Sequence, residues 1–177
     1  MQNSLVLPTQ PTLLNSCAMA ATAAEARFRI DYSEHARRAS RVIALDEPAA
    51  AVVRGLAGQD WRGGHFLVFD RTLPAKSGGE LSVDATLRTA DGVEVLLSEE
   101  LADADTAVVV ATASARVEAA EVIGDACAAG KIMSAGFVLG EADGIQAAVA
   151  ALRPNVMVLI VLKDGDDIAP VLNALRV

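Results

Sequence analysis

From Arg41 onward the chain alternates short apolar runs with amphipathic stretches, and no other feature restricts its fold as much. A strand buried on both faces reads as a run of branched aliphatic residues. A helix laid over such a strand repeats its apolar positions every three to four residues. The first run is Arg41-Val42-Ile43-Ala44-Leu45. Asp46 or Glu47 then caps a helix with Pro48 at its first position and Val52, Val53 and Leu56 on its inner face. Gly58, Gly63 and Gly64 separate that helix from a second run, His65 to Phe69, closed by Asp70. The best strand is Thr106-Ala107-Val108-Val109-Val110-Ala111-Thr112, whose β-branched residues suit burial on both faces. In the helix that follows, Ser114 is placed to cap, Val117, Ala120, Val122, Ile123 and Cys127 form a stripe, and Gly130 marks the end. Two further strand–helix units follow. One has a strand at Met133 to Leu139 and a helix capped by Asp143, with Ile145, Ala148, Val149 and Leu152 inward. The other has a strand at Val156 to Leu162 and a last helix carrying Ile168, Val171, Leu172 and Leu175.

The stretch 71–97 is less regular. Lys76 to Gly79 reads as a loop, Leu81 to Leu87 alternates weakly like an edge strand or hairpin arm, and Val93 to Leu97 is a third apolar run before a short helical turn at Ser98 to Leu101. The whole predicts an α/β domain over residues 41–177, a three-layer, Rossmann-like, doubly wound, mostly parallel sheet of about six strands. Residues 1–40 read as an N-terminal extension. It is extended around Pro8 and Pro11, helical over Ala18 to Ala26, and docked on the domain or on a partner.

Composition sets the style of the core and narrows the partners. With 53% hydrophobic but only 3% aromatic residues, the interior has to be closely packed Ala, Val and Leu. A chain of 177 residues is long enough to bury roughly 70% of the surface its unfolded form exposes. The net charge of −8 repels nucleic acid and anionic membrane. The one arginine-rich stretch, with Arg27, Arg29, Arg37, Arg38 and Arg41, is interrupted by Asp31 and Glu34 and reads as a solvated helix or strand edge. Cys17 and Cys127 lie far apart in no metal-binding or disulfide pattern, which fits a reducing compartment, and Cys127 reads as a core residue. Leu14-Asn15-Ser16-Cys17 faintly resembles a lipoprotein cleavage site, but no Lys or Arg precedes Arg27, and Pro8, Gln10 and Pro11 interrupt the apolar stretch. No run approaches the ~18 apolar residues of a membrane span. The expectation is a cytoplasmic protein with no nucleic-acid or membrane partner.

The succession RVIALDEPAAAVVRGL, HFLVFD, LADADTAVVVATASARVEAAEVIGDAC, GKIMSAGFVLG and DGIQAAVAALRPNVMVLIVLKDGDD, spanning residues 41–168, resembles the nucleotide-binding domain of the bacterial tubulin-like cell-division GTPases, the tubulin/FtsZ superfamily. That resemblance implies a glycine-rich turn after the first strand, a residue near the base or ribose after the second, and a glycine-threonine phosphate loop after the fourth. The residues depart from it at both phosphate loops. Asp46-Glu47-Pro48-Ala49-Ala50 sets two carboxylates and a proline where glycine amides would face phosphate. Thr112-Ala113-Ser114-Ala115-Arg116 contains no glycine, so close approach of backbone to phosphate is hindered. The family's second domain has no room in this chain. GTP hydrolysis by the family mechanism is not expected, and no catalytic residue, cofactor or metal is assigned.

If the strand order reverses between the first and fourth strands, a crevice opens at their C-terminal ends. It would be lined by Asp46, Glu47, Thr112, Ser114 and Arg116, with Asp70 nearby. These residues carry two readings. Either they form a small-molecule pocket, with Ser114 and the amides of 114–116 as donors and Arg116 as a charge, or Asp46 and Ser114 are helix caps and Arg116 pairs with Glu47 or Glu118. His35 and His65 read as structural or exposed, and Asp164 to Asp167 as a helix cap rather than a metal cluster. Two functions from different classes follow. The first is a non-catalytic domain acting by self-association as a dimer, or by binding another protein. The second is a small-molecule-binding protein or enzyme whose ligand, a nucleoside, nucleotide or acyl group, enters that crevice.

Overall fold

A computed structural model describes residues 39–77, 80–175 and 177. In chain order the elements are β1 (Ser40–Ala44), α1 (Glu47–Ala57), β2 (Gly64–Ser77), β3 (Glu80–Thr89), β4 (Glu94–Leu96), α2 (Leu97–Leu101), β5 (Thr106–Ala111), α3 (Val117–Gly130), β6 (Met133–Leu139), α4 (Gln146–Leu152), β7 (Val158–Leu162), a 3-10 turn (Gly165–Asp167) and α5 (Ile168–Leu175). The strands form one seven-stranded sheet in the order β4-β3-β2-β1-β5-β6-β7. β1 lies between β2 and β5 and pairs parallel with both, and β5–β6 and β6–β7 are parallel as well. β2–β3 and β3–β4 are antiparallel.

The two-residue period of each strand sorts its side chains between two helical layers. Val42 and Ala44 of β1, Val108 and Val110 of β5, and Phe137 of β6 face α1 and α5, meeting Ala49, Val53, Leu56, Ile168 and Leu172. Ile43, Leu45, Ala107, Val109 and Val138 face the other way, onto Leu97, Leu101, Ala120, Ile123, Cys127, Ala148 and Leu152 of α2, α3 and α4. A doubly wound, three-layer, Rossmann-like fold follows from this burial on both faces. The small side chains let helices sit close: Ala44, Ala49, Ala50, Ala107, Ala111 and Ala119 are fully buried.

The structure revises the sequence reading in several places. The sheet has seven strands rather than about six, because the weakly alternating stretch within 81–87 belongs to a full strand, β3. β2 does not close at Asp70 but continues, past a register shift between Phe69 and Arg71, through Lys76 and Ser77. Ser114 does not cap α3, whose N-cap is Arg116 with no side-chain capping bond. Asp143 likewise does not cap α4, whose N-cap is Ile145. Gly130 lies inside α3, and Lys131 takes the left-handed turn at φ 55°, donating its amide to Ala128 and Cys127. A Cβ on Gly130 would stand 3.0 Å from Cδ1 of Ile132, so the glycine makes room for the chain folding back. Arg41 is not solvated. It is 3% exposed and ion-paired with Glu100 at 2.8 Å and with Asp103. The expectations for residues 1–38, and for Gly78 and Gly79, fall outside the described residues.

Candidate functional site

Strand order reverses about β1, since the chain leaves it toward β2 on one side and later returns to β5 on the other. The turns after β1 and β5 therefore meet at the C-terminal ends of adjacent strands, where open α/β sheets place ligands. Leu45 extends the pairing, its amide donating to the carbonyl of Val110 at 2.9 Å. This brings Asp46 against Thr112.

The Asp46 carboxylate bridges the two turns. Its Oδ1 accepts from the amide of Ala49 at 2.9 Å, the N-cap bond of α1, and from the Thr112 hydroxyl at 3.0 Å. Its Oδ2 accepts from the amide of Thr112 at 2.8 Å. Asp46 is 6% exposed, so three donors converge on a buried anion. Charge-assisted bonds of this kind are about twice as strong as neutral ones. The arrangement is electrostatically that of an anion site at a helix N-terminus, with the anion supplied by the chain itself. Pro48, in the first turn of α1, offers no amide.

The other residues expected in the crevice take separate roles. Glu47 is exposed and pairs with Arg54, two turns along α1, at 2.8 Å, and this hydrogen bond and the guanidinium charge hold its carboxyl below the usual range. Asp70 sits at the irregularity of β2, its carboxylate paired with Arg71 and, at 3.5 Å, with Arg88. Arg116 pairs with neither Glu47 nor Glu118. It reaches across to β2, donating to the carbonyl of Asp70 at 2.9 Å and placing its guanidinium 5.7 Å from the centre of the Phe69 ring. It thereby ties the start of α3 to β2. Ser114 is exposed, its amide donating to the Thr112 hydroxyl at 3.3 Å. Thus Asp46 and Thr112 are brought into contact, Arg116 and Asp70 form a second contact, and Glu47 stands apart.

Two features escaped the sequence reading. At the N-terminal ends of the parallel strands, Arg41 of β1 and His65 of β2 both meet Glu100, the histidine through Nδ1 at 2.9 Å. Arg41 opens an apolar run, and only the return of α2 to that edge gives it carboxylate partners. A cleft of about 480 Å³ lies near the starts of β6 and β7, with Gly124, Lys131, Ser134, Asn155 and Met157 among its lining residues. Neither Lys131 nor Asn155 carries a motif that would have drawn attention to it. Among the described residues no helix is long and apolar enough to cross a membrane. Comparison with protein-family models, with curated proteins and with solved structures returned no match.

Proposed function

We propose that this chain is a non-catalytic, tubulin/FtsZ-like Rossmann domain that acts by self-association or by binding another protein. The observation that supports this most directly is the Asp46 carboxylate bonded to the amides of Ala49 and Thr112. Those amides belong to the two turns that, in the family the sequence resembles, face phosphate. A phosphate approaching them meets a fixed negative charge. At about 4 Å and an effective dielectric near 20, each such pair of charges costs about 4 kcal/mol. The absence of glycine from 112–116 adds a steric obstacle. With two cysteines in no disulfide or metal pattern, the setting we propose is the cytoplasm.

Titration calorimetry with GTP and NAD, run beside light scattering on the eluting protein, tests this reading. The expected result is no saturable nucleotide binding and a mass above that of one chain. Saturable nucleotide binding by a strict monomer would end it. The rival reading, a less anionic ligand in the same crevice, draws on Ser114, whose hydroxyl has no hydrogen-bond partner among the described residues, and on the lack of a side-chain cap at α3. A thermal-shift screen over nucleosides and acyl compounds separates the two. The rival predicts stabilisation that a Ser114→Ala, Arg116→Ala double variant abolishes.

A further inference from the structure

The two edges of the sheet are built differently. β4, the edge on one side, is three residues long and carries Glu94, which pairs with Arg88 at 3.0 Å and with Arg71 at 3.5 Å. Short length and charge are the usual devices that keep an edge strand from recruiting another. β7, on the other side, has neither. From Val156 to Leu162 the sequence is Val-Met-Val-Leu-Ile-Val-Leu, without charge, glycine or proline. Its inner edge is fully paired with β6 over five residues, from Ala135↔Val158 to Leu139↔Leu162. Its outer edge is the end of the sheet among the described residues. Met157 is 74% exposed, and Val158 and Val161 are each 52% exposed.

We infer that the outer edge of β7 pairs with β7 of a second copy of this chain, antiparallel about a two-fold axis, joining the two sheets into one. This deepens the self-association proposed above and rests on it. An open strand edge presents unpaired amides and carbonyls, which another strand satisfies. Charge selects the copy and the direction. At the N-terminal end of β7, Lys131 lines one cleft with Val156 and Met157, with Asp125 as the one acid of that lining, and Arg153, the C-cap of α4, precedes the strand by five residues. The C-terminal end runs into Asp164, Asp166 and Asp167, beside a Lys163–Glu141 pair at 3.8 Å. Lys131, Arg153, Asp166 and Asp167 have no ion-pair partner among the described residues. Antiparallel apposition sets the basic end of each strand against the acidic end of the other, twice. Parallel apposition would set like on like. Between the ends only apolar residues meet, so two chains of net charge −8 approach where their repulsion is least.

Sedimentation or light scattering from micromolar to millimolar protein reads the outcome, with hydrogen exchange at β7 as a second measure. The expected result is a dimer that Val158→Lys, Val161→Lys converts to monomer with the circular dichroism and melting profile of a folded chain. The β7 amides that face away from β6 should gain protection with concentration, since those facing β6 are already bonded within the sheet. A Lys131→Glu, Arg153→Glu variant and an Asp166→Lys, Asp167→Lys variant should each dissociate at least tenfold more readily alone, and form a mixed dimer together. An oligomer that survives the valine substitutions, or β7 protection independent of concentration, overturns this edge while leaving self-association standing. A wild-type monomer across the whole range overturns both.

Discussion

Asp46 and Thr112, 66 residues apart in the chain, are joined by two hydrogen bonds that lock the turn after β1 to the turn after β5. Because Asp46 also caps α1 through Ala49, one carboxylate holds three elements together. The place where a Rossmann-like sheet usually opens is here a structural joint.

Asp46→Ala removes the cap, worth about 1 kcal/mol, and leaves the Thr112 amide and hydroxyl without their acceptor, about 1–3 kcal/mol more. Urea unfolding should show a loss of about 2–4 kcal/mol, with Asp46→Asn losing less because its amide oxygen still accepts. An alanine variant within ~0.5 kcal/mol of wild type, the spread of neutral surface changes, would mean that the joint is not structural.

Arg41 is 3% exposed and its guanidinium depends on Glu100 and Asp103. Glu100→Gln leaves a buried charge short of its partner, and the expected cost is about 3 kcal/mol. Arg41→Met, Glu100→Met should recover most of that loss, since apolar replacement of both partners removes the uncompensated charge. Equal melting temperatures for the single and the double variant would contradict this account.

Thr106 is 3% exposed, and its hydroxyl has no hydrogen-bond partner among the described residues. Valine has the same shape and no polar atom to bury. Thr106→Val should be neutral or stabilising, by up to about 1 kcal/mol, and a destabilisation in denaturant titration would reveal a partner for that hydroxyl.

Gly124 is a helical glycine at which two effects compete. Alanine would favour the helix by about 1 kcal/mol. Its Cβ, however, would stand 2.6 Å from Cβ and 2.9 Å from the carbonyl oxygen of Asn155, both closer than atoms pack. The clash involves backbone and should dominate, with a net loss of about 1–3 kcal/mol for Gly124→Ala. Gly55, where an added methyl group would meet nothing within 4 Å, serves as the control, and Gly55→Ala should stabilise.

Burial pushes the Cys127 thiol up from 9.0 to about 11. The neutral thiol is favoured in the folded chain, so the unfolded chain loses its proton first as pH rises. Stability is therefore whole at neutral pH and declines between about pH 9 and 11, by up to about 2–3 kcal/mol. Cys127→Ala should flatten the alkaline limb of a pH–stability curve. The native thiol should also resist disulfide reagents at pH 7.

How far the sequence could be read depended on whether a residue's partner lay nearby in the chain. The five parallel strands and the long helices were legible because periods of two and near 3.6 are local, and burial of both sheet faces writes itself into runs such as Val108-Val109-Val110. Asp46 was legible as a cap for the same reason, its bond to Ala49 spanning three residues. Ser114 and Asp143 have suitable side chains near helix starts. The observed N-caps, Arg116 and Ile145, are set by how the chain enters each helix.

By itself, then, the sequence determined the fold class, the two-sided core of small aliphatic residues and the lack of glycine in both turns, all properties of neighbours along the chain. Only the tertiary structure decided that Asp46 reaches Thr112, that Arg41 is buried against Glu100, that Arg116 turns to Asp70, and that β7 ends the sheet. Each of those depends on which strand lies beside which. That order emerges when long-range pairing closes, and no local pattern of side chains encodes it.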